Sequence, residues 1–183
     1  GVQTCALPIL FGSLQRAFES MGRGNAFSAR DVVQFAAAAS HYVQDGTQPL
    51  HGSNNYDGQL SRQRGVHARF ESELFERFEG RLMLSPAPVV AIASPRDYAF
   101  DLLLGGYQRV DALLKADTEA IGRKDEYDDA YFEAFFMRVK PMLEERLSLA
   151  VTATASVIVN AWEQAGRPSL AVKLSRTPRK VQR

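Results

Sequence analysis

The chain has 183 residues, 45% of them hydrophobic and 23% charged, which is long enough to bury a core and too short to require two domains. The net charge is +1, but residues 167–183 contribute +6 with no acid, so the rest of the chain carries −5. That weakly acidic body argues against a protein that coats nucleic acid, because such a protein needs a basic patch on its folded surface.

The first residues, GVQTCALPI, read like the translation of a common sequencing-library adapter. We therefore exclude residues 1–9 from fold interpretation as an artefact and expect an N-terminally truncated fragment that enters its gene at about Leu10. Residues 10–166 are predicted to form one helical domain that lacks its N-terminal part. Residues 167–183 are predicted to be a basic, flexible tail. No apolar run reaches the ~18 residues of a membrane span, so no transmembrane segment is expected.

Helical periodicity dominates the first half of the domain. Ser28 is predicted to cap a helix that runs to Gly46, a natural C-terminal stop. Residues 47–64 are rich in Gly, Asn, Ser and Pro and indicate a loop. A second helix is predicted from about Val66 to Phe78, with an apolar face made of residues 70, 74 and 78.

Further helices are predicted in the second half. Ser94 and Pro95 open one in the favoured N-cap and N1 arrangement, and its apolar positions continue to Leu114. Apolar residues then keep three- and four-residue steps from about 127 to 165, where Pro141 is expected to kink the helix or divide it in two.

The stretch 151–159 leaves two interpretations open. Its alternation with Thr and Ser fits a strand, but the lack of a turn residue on either side favours a helix. Paired hairpin signals occur nowhere in the chain. The predicted fold class is therefore all-α, a multi-helix bundle.

The three histidines of the chain fall in one short stretch, and two of them have a carboxylate four residues downstream: His41 with Asp45, and His67 with Glu71. Residues i and i+4 share one face of a helix, with Cβ atoms about 5 to 6 Å apart. Two such helices facing each other, with His51 on the connection between them, would supply nitrogen and oxygen ligands suited to zinc. Each pair alone also fits an ordinary side-chain interaction, so the spacing leaves a metal site and a polar cluster both open.

The run HYVQDGTQPLH (41–51), followed by Asn54 and by GVHARFE (65–71), resembles the metal-binding core of the zinc-dependent phospholipase C and single-strand-specific nuclease superfamily. The residue types agree, as do the gap between the first two histidines and the final His-x-x-x-carboxylate. The resemblance covers residues 41–71 closely, whereas the helical remainder agrees only in class.

The resemblance implies a trinuclear zinc phosphodiesterase. His51, His67 and Glu71 would hold one zinc and leave room for water or substrate, while His41 and Asp45 would serve a neighbouring zinc pair that Asp45 bridges. Zinc lowers the pKa of bound water to roughly 7 and stabilises charge on phosphoryl oxygens. The resemblance also implies a secreted or periplasmic protein that acts on a phosphodiester, either phospholipid or single-stranded nucleic acid, with no stable protein partner.

The sequence departs from the family upstream of this run. The family completes its zinc pair with an N-terminal Trp and with further His and Asp residues, none of which has a counterpart here. We therefore expect one complete zinc site of up to three in the intact parent, and a general base in the missing N-terminal region. Asn54 matches a position near the site, where it either orients ligands or phosphate or forms a simple turn.

Two other functional classes stay open at this point. One is a non-catalytic helical module whose His and carboxylate cluster is a structural metal site or a polar cluster. The other is nucleic-acid binding through the basic tail, in which case deletion of residues 167–183 would abolish binding and its salt dependence.

Overall fold

The computed structural model of the chain describes residues 2–25 and 27–170, with side chains from residue 6 onward. Most of the predicted basic tail, residues 171–183, lies outside the described residues. The described residues contain helices and no strand, which confirms the all-α class. The longer helices are α1 (Val2–Gly22), α2 (Ser28–Thr47), α5 (Pro95–Tyr107), α6 (Val110–Ile121) and α7 (Asp129–Gln164).

The predicted helix at 66–78 is confirmed but is not regular. It consists of α3 (Val66–Ala68), a π-helical turn (Arg69–Glu73) and α4 (Leu74–Phe78), which follow one another without a break. Short 3₁₀ turns lie at Pro49–Gly52 and Glu79–Arg81. None of the described helices is long and apolar enough to cross a membrane.

Two buried apolar clusters hold these helices together. The first joins the 66–78 segment to α6 and the N-terminal half of α7, and it contains the predicted face residues Phe70 and Leu74. The second joins α1, α2, α5 and the C-terminal half of α7. Residues 2–9, which we excluded from fold interpretation as an adapter sequence, form the first part of α1. Leu7 is buried in this second cluster.

The predicted ends of α2 need correction. Ser28 is not the N-cap: it is buried in the first turn, where its hydroxyl donates to the Asn25 carbonyl at 2.6 Å. Gly46 does not end the helix, which continues to Thr47. Gln48 then turns extended because it precedes Pro49, and a residue before proline is kept out of the helical region.

The helix predicted from Ser94 to Leu114 is divided in two by a turn. Ser94 caps α5 as predicted and accepts from the Asp97 backbone N–H at 3.2 Å. The Arg109 guanidinium donates to the Gly105 carbonyl at 2.6 Å. In a continuous helix this carbonyl would accept from the backbone N–H of Arg109. That N–H bonds to Gly106 instead, three residues back, so α5 ends and α6 begins at Val110.

The long C-terminal helix is confirmed, including the stretch 151–159. Pro141 lies inside α7 and does not divide it. Four aromatic residues of its N-terminal half are buried: Tyr131, Phe132, Phe135 and Phe136.

An extended segment, residues 82–92, runs along α7 and was not predicted as an ordered feature. We call it the strap. Its backbone N–H groups donate to side chains spaced four residues apart on α7, from Met83 to Glu144 at 2.7 Å through Ile92 to Asn160 at 2.9 Å. Between these ends the N–H groups of Ser85, Ala87 and Val90 donate to Ser148, Thr152 and Ser156.

The strap and α7 match because their repeats are nearly equal. Two extended residues advance about 6.6 Å and four helical residues about 6 Å, so amides two residues apart meet every fourth helical side chain. One step, from Ala87 to Val90, takes three residues. Pro86 and Pro88 fall between the donating residues, where their missing N–H groups cost no hydrogen bond. The strap thereby follows one face of α7 from Glu144 to Asn160.

Candidate metal centre

The fold brings His51 and His67 together by burying the residue that precedes each of them. Leu50 and Val66 are both fully buried in the first apolar cluster. His51 therefore projects from the 3₁₀ turn after α2, and His67 projects from α3. Gly65 opens α3 with φ of 82°, a left-handed conformation that favours glycine, and its N–H donates to Asp57 at 3.0 Å.

Three side chains converge through single atoms. The Nε2 atoms of His51 and His67 lie 3.2 Å apart. The Oε2 atom of Glu71 lies 2.8 Å from the Nε2 of His67 and 3.7 Å from that of His51. The structure thus joins these three predicted ligands into one group of the kind that could hold a metal ion.

The spacing of these three atoms fits a tetrahedral ion. Zinc with bonds of about 2.0 to 2.1 Å holds neighbouring ligand atoms about 3.3 Å apart. The three observed separations, from 2.8 to 3.7 Å, lie on either side of that value. A small ion at the centre would therefore require only minor movement of the side chains.

A backbone carbonyl fixes which nitrogen of His67 faces this group. The Tyr56 carbonyl lies 2.9 Å from Nδ1 of His67 and can only accept, so Nδ1 carries a proton. The lone pair of Nε2 then faces the Glu71 oxygen. Two lone pairs do not attract at 2.8 Å, so a cation, either a second proton or a metal ion, belongs between them. A carbonyl behind one ring nitrogen is the usual support of a metal-binding histidine.

The electrostatics of the pair agree with that requirement. The hydrogen bond to Glu71 raises the pKa of His67 above its usual value, against the opposing effect of burial. The neighbouring imidazoles of His51 and His67 hold the pKa of Glu71 far below its usual range. Glu71 therefore stays ionised at neutral pH, and a proton competes with any metal ion for Nε2 of His67.

The π-helical turn places Glu71 in the group. The N–H of Leu74 bonds to the Arg69 carbonyl five residues back, which widens the helix just after His67. Such turns cost regular hydrogen bonding and are frequent at functional sites. No feature of the sequence indicated this turn.

Asp45 and His41 lie beside the group rather than in it. Asp45 lies between two imidazoles: Oδ1 is 3.7 Å from Nδ1 of His51, and Oδ2 is 3.5 Å from Nε2 of His41. His41 points outward, with 70% of its side chain exposed. Asn54 is exposed in a turn, where its backbone carbonyl accepts from Gln59 at 2.6 Å. The roles implied for these three residues stay predictions.

A buried ionic network anchors the π-helical turn to α6 and α7. It was not predicted from the sequence. Arg69 is directed away from the ligands and donates to Asp117 of α6 at 3.0 Å and to the Tyr131 hydroxyl of α7 at 2.9 Å. It also donates to the carbonyls of Gln63 and Arg64 in the loop before α3. Burial, together with the Asp117 carboxylate, raises the pKa of Tyr131, so its hydroxyl stays protonated and donates to Asp117.

The chain is similar over part of its length to a known protein. A probable serine protease from Bradyrhizobium tropiciagri is 32% identical to the chain over 114 residues. That match covers 51% of this chain and 14% of the length of the relative. No protein-family model matches the chain. No solved structure matches it either.

Proposed function

We propose that the protein is a zinc-dependent hydrolase of phosphodiester bonds, and that His51, His67 and Glu71 hold one of its zinc ions. The observation that carries the proposal is the convergence of two Nε2 atoms and one carboxylate oxygen within 3.7 Å of one another. These atoms belong to the residues that the phospholipase C and nuclease resemblance assigns to one zinc.

The choice of zinc rests on the donor set. Two imidazole nitrogens and one carboxylate oxygen form a ligand set typical of catalytic zinc, whereas structural zinc is usually closed by four protein ligands rich in cysteine. The chain contains a single cysteine, Cys5, far from the group in sequence. Calcium and magnesium prefer sets made of oxygen alone.

The exposure of the group favours a catalytic site over a structural one. The Glu71 side chain is 48% exposed to solvent and the His67 side chain is 27% exposed. Three protein ligands at the surface leave a position that a water molecule or a phosphoryl oxygen can reach. When bound there, zinc supplies a Lewis acid for phosphoryl oxygens and makes water acidic enough to attack at neutral pH.

The residues around the ligands have their own tasks in this proposal. The Tyr56 carbonyl keeps the proton of His67 on Nδ1, so that Nε2 is available as a ligand. The carboxylate of Asp45 lies 3.7 Å from Nδ1 of His51, so its negative charge faces the ring nitrogen that points away from the group. The one further histidine of the chain, His41, lies outside this group, so we restrict the proposal for these residues to one zinc ion.

The test is hydrolysis by the protein, with and without chelator. Suitable substrates are phosphatidylcholine, single-stranded DNA and a generic phosphodiester. We expect hydrolysis of at least one of them to stop with chelator, return with zinc and fall to background in Glu71→Gln. Glu119→Gln is the matched control, because Glu119 is 49% exposed on α6 and its carboxylate pairs with Lys115 and Arg138, far from the group in sequence. Absence of chelator-sensitive hydrolysis on all three substrates would refute the proposed activity.

A further inference from the structure

Gln48 connects the two segments that carry the candidate ligands. It lies between α2 and the 3₁₀ turn, and only 8% of the residue is exposed. Its side-chain oxygen accepts from the backbone N–H groups of Leu50 and His51, the latter at 3.2 Å. Its Nε2 donates to the Oε2 atom of Glu71 at 3.2 Å, across 23 positions of sequence.

The orientation of this amide is fixed by its partners. Two N–H donors meet one end of the side chain, so that end is the oxygen and the other end is the NH₂ group. The backbone is fixed as well, because Gln48 is extended before Pro49. Gly106 of α5 packs against it so closely that an added Cβ would lie 3.1 Å from the Gln48 carbonyl oxygen.

The hydrogen bond acts on the ligand that is least constrained. His67 is held by the Tyr56 carbonyl, and His51 follows a buried leucine, whereas Glu71 is about half exposed and has three side-chain torsions. A carboxylate oxygen has two lone pairs, so Oε2 can accept from Gln48 and still bind a metal ion. Carboxylates that bind metals are commonly held by such a hydrogen bond.

We infer that Gln48 is a positioning residue for the zinc centre: its amide holds the Glu71 carboxylate in place while its oxygen caps the turn that carries His51. This inference rests on the proposed zinc site. The side chain thereby couples the geometry of the 3₁₀ turn to that of the π-helical turn. Loss of the amide should weaken zinc binding about 10- to 100-fold, the usual effect of removing a hydrogen bond to a ligand.

The test compares Gln48→Met with Gln15→Met in the full chain, using the zinc dissociation constant from competition with a chromophoric chelator. Gln15 is a matched control, since its Nε2 also donates to a carboxylate, Glu19, at 3.1 Å, but on α1. We expect a dissociation constant about 10- to 100-fold higher than that of the wild type for Gln48→Met. For Gln15→Met we expect the wild-type value. Similar constants for both variants and the wild type would overturn the inference alone, while failure of the wild type to bind zinc would overturn the zinc site as well.

A second variant covers the case in which Gln48→Met does not fold. Gln48→Glu keeps an oxygen for the N–H groups of Leu50 and His51 and replaces the donor to Glu71 with a carboxylate oxygen that repels it. With cobalt in place of zinc, we expect its visible absorption spectrum to differ from that of the wild type, because the coordination geometry changes. A spectrum identical to the wild type in a folded Gln48→Glu protein would overturn the inference.

Discussion

Replacing His67 with alanine should abolish specific zinc binding by the chain. His67 contributes the nitrogen that lies between the other two donor atoms, at 3.2 Å from His51 and 2.8 Å from Glu71. Its loss leaves two protein ligands, which do not make a stable zinc site. The effect should therefore exceed the roughly 10- to 100-fold weakening that removal of a supporting hydrogen bond causes.

The same substitution should remove the stabilisation that zinc gives to the fold. Free zinc at about 100 times its dissociation constant adds about 2.7 kcal/mol to the free energy of unfolding. Thermal or urea unfolding with and without zinc measures this difference. We expect a zinc-dependent rise in the wild type and in His41→Ala, whose exposed side chain contacts Asp45 and lies outside the group. Zinc binding that persists unchanged in both His51→Ala and His67→Ala would refute the ligand assignment.

Arg69→Met should destabilise the protein by about 3 to 5 kcal/mol, the usual cost of leaving one partner of a buried ion pair alone. Arg69 and Asp117 are both buried and lie 3.0 Å apart. After the substitution, the donors left to Asp117 among the described residues would be Tyr131 and Gln63. The free energy of unfolding, measured in urea, gives the size of the effect.

Arg77→Met is the matched control for this prediction. Arg77 also pairs with an aspartate, Asp129 at 2.9 Å, but both side chains are exposed. Its loss should change the stability by no more than about 1 kcal/mol. The double substitution Arg69→Met with Asp117→Leu should recover part of the loss, because no buried charge is then left alone. Equal stability of Arg69→Met and Arg77→Met would contradict the interpretation of the buried network.

The convergence of the candidate ligands could be predicted from local spacing together with the family resemblance. His67 and Glu71 are one helical turn apart, and the family resemblance groups His51 with them. The all-α class and the helix at 66–78 follow equally from periodicity and from the apolar positions at residues 70 and 74. These features rely on residues close together in the chain.

The supporting contacts were not predicted, because they join distant positions. Arg69 and Asp117 are 48 residues apart, and nothing in the sequence indicates that they pair. The strap depends on a polar residue at every fourth position of α7, from Glu144 to Asn160, and on amides 61 to 68 residues away. That polar repeat is the signal in the sequence that could have revealed the strap.

Other errors arose where side chains compete with the backbone. Arg109 takes a carbonyl that a continuous helix would use, and so it ends α5. The hydroxyl of Ser28 donates to a carbonyl upstream instead of accepting from the helix. Sequence patterns indicate that such residues suit a helix end, but they do not specify which backbone group the side chain will bind.

The most direct test of the zinc centre is a crystal structure of the zinc-loaded protein with anomalous data collected at the zinc absorption edge. We expect an anomalous peak about 2.0 to 2.2 Å from Nε2 of His51, Nε2 of His67 and one carboxylate oxygen of Glu71. A zinc peak bound to other residues, with none among these three atoms, would contradict the assignment.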